Sequence, residues 1–569
     1  MNRPHDTAKG RRGDGCVKTQ KAYGNLQVRK GGLPPLERQR RDWLGNISTG
    51  ISSGRKRVLQ TLRLERWGCK LAAGVTSRAF GCSGGGKPLF LTCKLARLEP
   101  SFWGSLSFAT VSLGFPQGQA AKPLRVSTAI CAVLLVVIST SLAQQIGEPT
   151  RQHGVSFPRG IYAIRNAHIV TVSGPDIDNG TIVIRDGKIE AVGAGVSVPS
   201  GAQTIDARGL WVYPGMIDAA TSMGLVEVGQ GASGTVDTAE AGELNPNAKA
   251  IIAINPHSAH IAVTRVDGVT SAVSIPVGGL ISGQAAIVNL VGTSPLEMAV
   301  VPHAALVINY PRPGGGGGGG FFVPELPPNL TEVLAQANRQ LEQIRKMLRD
   351  AEAYGRAQEA YAKDKTLPRA DQNNLLEPLV PYVRGERPVI FRADRETDIR
   401  GAIKFAEELK LKPIILGGDD AGKIATFLKE KNVPVILTGV LDLPSREDDF
   451  YDVLYENAAK LQQAGVRFCI SSGDSGANVR NLPFYAGMAA AFGLPKAEAL
   501  KAITLYPAQI MNVADRLGTI EAGKMANIVV TDGDLLETRT HVRHLFIDGR
   551  QIPLNSRHTD LNDAFKNRR

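Results

Sequence analysis

Few side chains in this chain of 569 residues have the types and spacing that chemistry requires. His257 and His260 follow Asn255-Pro256 in a His-x-x-His spacing, so one helical turn would bring both imidazoles to one face. The pair reads as half of a metal site, as a ligand contact, or as a polar helix start; no Glu-His partner accompanies it. Arg392 and Asp394 close an apolar run in Ile390-Phe391-Arg392-Ala393-Asp394-Arg395. A guanidinium there suits a ligand carboxylate or phosphate, or an ion pair with Asp394 or Asp474. Asp474, in Ser472-Gly473-Asp474-Ser475, follows another apolar run. The same stretch lacks the G-x-S-x-G elbow of serine hydrolases, and no Walker A loop occurs in the chain. Cys469 lies inside an apolar run and reads as a small core residue.

The elements that must hold these residues alternate strand and helix. Pro388–Phe391, Pro413–Leu416, Pro434–Leu437 and Arg467–Ser471 are short buried-strand runs. Apolar residues at helical spacing follow them over 398–411, 421–429, 448–463 and onward through Met511. The acidic cluster Glu447-Asp448-Asp449 suits a helix N-terminus, where carboxylates favour the macrodipole. Such repetition indicates parallel βα units, and weaker ones over 268–302 suggest a (β/α)8 barrel. The alternative is an open doubly wound sheet, but no G-x-G-x-x-G opens a helix after a strand. A glycine-rich loop over 311–324 interrupts the barrel. Beyond it, Leu330, Val333, Leu334, Ala337, Leu341, Ile344 and Leu348 form one helical stripe, expected to pack on the barrel exterior.

Both ends of this region are β-rich. Strands are expected over 161–172, 181–185 and 188–192, the last two joined by Asp186-Gly187, a dipeptide that tolerates the positive φ of a tight hairpin. The same pairs return as Asp532-Gly533 and Asp548-Gly549 after the apolar runs 526–531 and 544–547. His541 and His544 beside the closing strand read as structural.

Charge and cysteine divide the chain in two. The formal net charge is +13, but residues 1–143 carry +17 and residues 144–569 carry −4. Five of the six cysteines and three of the four tryptophans precede residue 144. Lys122 and Arg125, the apolar run Ala129–Ile138 and the small residues ending Ser141-Leu142-Ala143 are the parts of a secretory signal peptide. A short membrane anchor over 126–143 or a buried segment are the other readings. Residues 1–121 show no sustained periodicity and read as a start assigned too far upstream, or as a disordered basic arm. The mature chain is mildly acidic, so the overall basicity does not point to nucleic acid.

Several motifs together carry a resemblance. Gly187-Lys188-Ile189 with Val192-Gly193, then Pro214-Gly215-Met216-Ile217-Asp218, then Gly518-Thr519-Ile520 and Gly523-Lys524-Met525-Ala526-Asn527-Ile528-Val529, resemble the amidohydrolase superfamily, in its imidazolonepropionase-like branch. The likeness spans 161–552, nearly all of the mature chain. It implies an α/β fold: a (β/α)8 TIM-type barrel over 214–511 plus a composite β-sandwich from the flanking segments 160–213 and 512–553. It also implies hydrolysis of non-peptide carbon–nitrogen bonds by water activated on a divalent metal such as zinc. Family members carry a His-x-His pair after the first barrel strand, further His after the fifth and sixth, and an Asp after the eighth. Here those positions hold Ala220 and Ser222, Arg392, and Gly417; Asp474 alone keeps its type. A fixed guanidinium cannot ligate a metal, and one carboxylate does not hold a catalytic zinc.

The expected protein is therefore periplasmic or secreted. It has a degenerate metal site that binds metal weakly or not at all, with Asp474 as the catalytic carboxylate and His257, Arg392 and Asp394 contacting a small-molecule ligand. The alternative is a catalytically inactive barrel that binds a small ligand or a protein partner. No nucleic acid is expected, nor membrane beyond the signal segment; a homo-oligomer is compatible with the fold.

Overall fold

A computed structural model describes residues 157–229, 233–312, 329–444, 446, 448–473 and 475–566. The expected signal segment, the upstream stretch, the glycine run and Asp474 lie outside the described residues.

The first strands are β1 (Tyr162–Ile169), β2 (Ile177–Arg185), β3 (Lys188–Gly193), β4 (Gln203–Asp206) and β5 (Trp211–Pro214). They form one sheet with β14 (Ile528–Thr531), β15 (Val542–Ile547) and β16 (Arg550–Ile552) from the far end of the chain. The order is β16-β15-β14-β5-β1-β2-β3, with β4 on β1, and β5–β14 is the antiparallel seam where the two flanks meet. The sheet curls on a core of its own that includes Ile164, Ile184, Val212, Ile528 and Phe546. Tyr162 and Phe546, from strands that are not neighbours in the sheet, meet edge to face with ring centroids 5.0 Å apart. Asp186-Gly187 and Asp548-Gly549 make tight hairpins with positive φ at both residues. Asp532-Gly533 does not. Asp532 instead opens the loop between β14 and β15, its carboxylate accepting from the His541 N–H at 2.7 Å and from Arg543.

The second sheet holds β6 (Met216–Thr221), β7 (Val269–Ser274), β8 (Ile281–Asn289), β9 (Ala299–Asn309), β10 (Val389–Ala393), β11 (Pro413–Gly417), β12 (Val435–Leu437) and β13 (Phe468–Ile470), in chain order. Alternation along the strands sorts two cores. Ile217, Val273, Ala285, Val307, Ile390, Ile414, Ile436 and Cys469, one from each strand, share an inner core. The intervening Phe391, Ile415, Val435 and Phe468 join the core that includes the helices. The sheet is thus a nearly closed, filled, eight-stranded barrel.

One expectation is corrected. Not every barrel strand is parallel: β8 runs antiparallel to both β7 and β9. The connection 275–280 is shorter than the dozen or so residues that a parallel crossover needs, so the chain turns back in a hairpin. From β9 onward the ladder is parallel.

Two helices also differ from expectation. The span expected as helix over 448–463 is helical only at Asn457–Gln463, and Asp449 does not cap it. Asp449 pairs with Lys423 at 2.7 Å and Arg446 at 2.9 Å, which holds the preceding segment in turns. The helix Leu330–Lys363 has its expected stripe, but burial begins only at Ala337; Leu330 and Leu334 are exposed. No helix of the described residues is long and apolar enough to cross a membrane.

Candidate functional site at the barrel mouth

Of the candidate site residues, Asp474 lies outside the described residues and the others have defined places. Ala220, near the end of β6, is buried in the barrel core. Ser222 follows β6, and its Oγ accepts from the Gly476 N–H at 3.2 Å. Arg392 stands two residues past the core residue Ile390, on the same inward face of β10, directly opposite Leu416 of β11. His257 is exposed before the helix Ala259–Arg265, its backbone N–H bonded to Asn255 Oδ1 at 2.9 Å. The His260 ring lies 3.2 Å from the Glu227 carbonyl. Neither His257 nor Arg392 lines the cleft that Asp394 lines.

Asp394 has a partner that no local pattern announces. Arg312, just beyond β9, donates to its carboxylate and also lies 3.9 Å from Asp398. The β9–β10 register carries the two together, with Asn309 opposite Arg392. Gly417 ends β11 at φ +104°, and a Cβ there would collide with the Asp394 carboxylate. Only glycine supplies both the backbone conformation and the room. The carboxylate at the end of one strand thus occupies the space that a side chain at the end of the next would need.

Around this pair lies a cleft of about 130 Å³, lined by Arg312, Asp394, Arg395, Asp419, Asp420 and Arg446 among others. Most of its charge is internally matched. Asp420 accepts from Arg446 at 2.6 Å, and Lys423 stands 3.0 Å from it. Asp419 is the exception in protonation: burial and the neighbouring carboxylates of Asp394, Asp420 and Asp442 push it up to about 6.

The barrel's closing edge holds a second buried carboxylate. Asp218 of β6 is fully buried; it accepts from Ser471 Oγ at 2.5 Å, from the Ser472 hydroxyl, and from the Ser472 N–H at 3.2 Å. Ser471 Oγ in turn accepts from the Ala220 N–H at 3.0 Å. These bonds join β6 to the end of β13, where the two strands share no ladder among the described residues. Burial raises the carboxyl to about 6 against the lowering effect of the two serines. The sequence motif around Asp218 marked the family likeness but not this clasp.

A catalytic zinc needs about three imidazole or carboxylate ligands and an open position. The positions at which the resemblance leads one to expect ligands hold a methyl, a hydroxyl already bonded to backbone, a guanidinium and a glycine. Among the described residues no group of three or more His, Cys, Asp or Glu is placed to hold an ion. The side chains described at those positions do not fit the metal.

Residues 422–552 match the model of the amidohydrolase family. The chain is similar to the solved structure of an amidohydrolase from Thermotoga maritima MSB8, at 25% identity and a TM-score of 0.61, over 69% of this chain and 99% of that one. These two findings support the amidohydrolase superfamily. Molinate hydrolase (18% identity, TM-score 0.43, 70% of this chain and 96% of that one) is more distant. So is a zinc-bound adenosine deaminase from Xanthomonas campestris (15% identity, TM-score 0.39, 71% and 97%); neither adds weight. Comparison with curated proteins returns no match.

Proposed function

We propose that this chain is an exported amidohydrolase-type barrel of the imidazolonepropionase-like branch, closed by a composite β-sandwich, whose metal positions have been given over to packing and ion pairing. It acts by binding a small ligand at the barrel mouth and has lost hydrolysis by metal-activated water. The observation that carries this reading is the Asp394 carboxylate lying where a side chain at Gly417 would have to go, with Arg312 bonded to it. The cation that the family site takes from a metal is supplied here by arginine, which cannot activate water. Arg392 on the inner face of β10 is the residue to meet an anionic group of the ligand.

A second reading is favoured by the family match over 422–552: hydrolysis of a non-peptide carbon–nitrogen bond, with Asp474 as the remaining carboxylate. Metal analysis of the purified full chain separates the two. The binding reading expects no stoichiometric transition metal and no turnover of amide, lactam or dihydropyrimidine panels. About one equivalent of metal per chain, lost together with turnover in Asp474→Ala, would overturn it in favour of the hydrolase.

A further inference from the structure

A cavity of about 440 Å³ lies away from the barrel mouth, between the curled sheet and the helix Lys496–Ala502. Its walls come from the connection between β1 and β2 (Val170 and Asp176), β5 (Trp211 and Tyr213), the same helix (Lys496 and Lys501) and the loop with Asp534. Trp211 and Tyr213 are two residues apart on one strand, so both rings stand on the same face of the sheet. They stack with centroids 6.1 Å apart and planes 8° from parallel, and the His168 ring meets Trp211 edge-on at 4.2 Å. Tyr213 is buried and Trp211 half-buried, which leaves the indole as the aromatic surface nearer the opening.

The charges around these rings are not balanced. Lys496 Nζ stands 2.8 Å from Asp534 and 3.1 Å from Glu537, so one ammonium is shared by two carboxylates. Lys501 is matched by Glu498 at 2.9 Å. Asp176 faces the cavity with His168 Nε2 at 3.5 Å, while the other nitrogen of that imidazole is taken by Asp178 at 2.6 Å. The lining itself holds two carboxylates, Asp176 and Asp534, and two ammoniums, Lys496 and Lys501. Each ammonium is further engaged by a glutamate outside the lining, so the negative excess around the two aromatic rings comes from that outer layer. The size falls within the range of small-molecule sites, which combine apolar walls with a few convergent polar groups. Aromatic faces with carboxylates nearby attract organic cations through the ring quadrupole and through charge.

We propose that this cavity binds a small organic cation carrying an apolar or aromatic group, with the ammonium held between Asp176 and Asp534 and the apolar part against Trp211. The site is independent of the barrel mouth and of whether the barrel hydrolyses anything.

Isothermal titration of the full chain with phenethylammonium, beside the neutral 2-phenylethanol of similar shape, tests it. The amine is expected to bind about tenfold or more tightly than the alcohol, the scale of a cation–aromatic contact joined to a carboxylate. Asp176→Asn, in an exposed turn, should weaken the amine about tenfold and leave the alcohol unchanged. Lys496→Gln removes the competing ammonium and should tighten the amine. Trp211→Ala should lose both ligands, with circular dichroism checking that the sheet remains. Equal affinity for amine and alcohol would overturn the proposal, as would saturable binding of neither, or amine binding indifferent to both Asp176→Asn and Lys496→Gln.

Discussion

At the scale of single residues, the carboxylate of Asp218 shows a motif residue held by its own buried hydrogen bonds. It is fully buried, tied to Ser471 and Ser472, and raised to about 6 from an ordinary 3.8. A raised carboxyl means that the folded state favours the protonated form. The stability it contributes is complete below about pH 4 and is lost as pH rises through about 6. Two pH units of separation correspond to about 2–3 kcal/mol. Asp218→Asn keeps an acceptor for the serines and removes the charge. Denaturant unfolding of wild type and variant across pH 4–8 should show the variant gaining relative stability toward neutral pH. A difference that stays flat with pH would show that Asp218 remains ionised in the fold. Asp267 and Asp419, also pushed up to about 6, titrate in both proteins and cancel in the comparison.

At the scale of elements, the helix Leu330–Lys363 separates pattern from burial. Its stripe obeys helical spacing throughout, yet Ile344 and Leu348 are buried while Leu334 is 43% exposed. Ile344→Ala should cost about 2–5 kcal/mol, the range for deleting buried methyl groups. Leu334→Ala should stay within about 0.5 kcal/mol of wild type. Equal effects in chemical unfolding would mean that the first turns pack as tightly as the middle. Strand β8 makes the complementary point. Its composition does not announce its direction, and the short connection 275–280 decides it. The acidic run near 448 misled in the same way: carboxylates suit a helix start, but Asp449 finds Lys423 and Arg446 first.

At the scale of the whole molecule, the two β segments flanking the barrel form one structural unit. β14 lies between β5 and β15, so residues separated by the entire barrel complete one sheet and one core. Deleting residues 526–569 removes β14–β16 and leaves β5 as an unpaired edge over an exposed apolar face. The truncated chain should lose soluble yield and its cooperative melt, measured by near-ultraviolet circular dichroism against the full chain. A retained cooperative transition would show that the barrel and the first five strands fold without the far end.

What the sequence determined by itself was whatever short-range physics controls. Asp-Gly pairs with positive φ placed two hairpins, apolar runs placed strands β10–β13, and motif order placed the barrel between two β segments. The residue types at positions 220, 222, 392 and 417 were likewise legible at once. Tertiary structure decided which partners surround the residues near the strand ends. Arg312 meets Asp394 across 82 residues, and Ser471 meets Asp218 across 253, through strand registers and loops that no local pattern encodes. The aromatic cavity also needs four separate segments to exist. Backbone preference acts over a few residues, whereas charge pairing and burial act between surfaces that only the folded chain brings together.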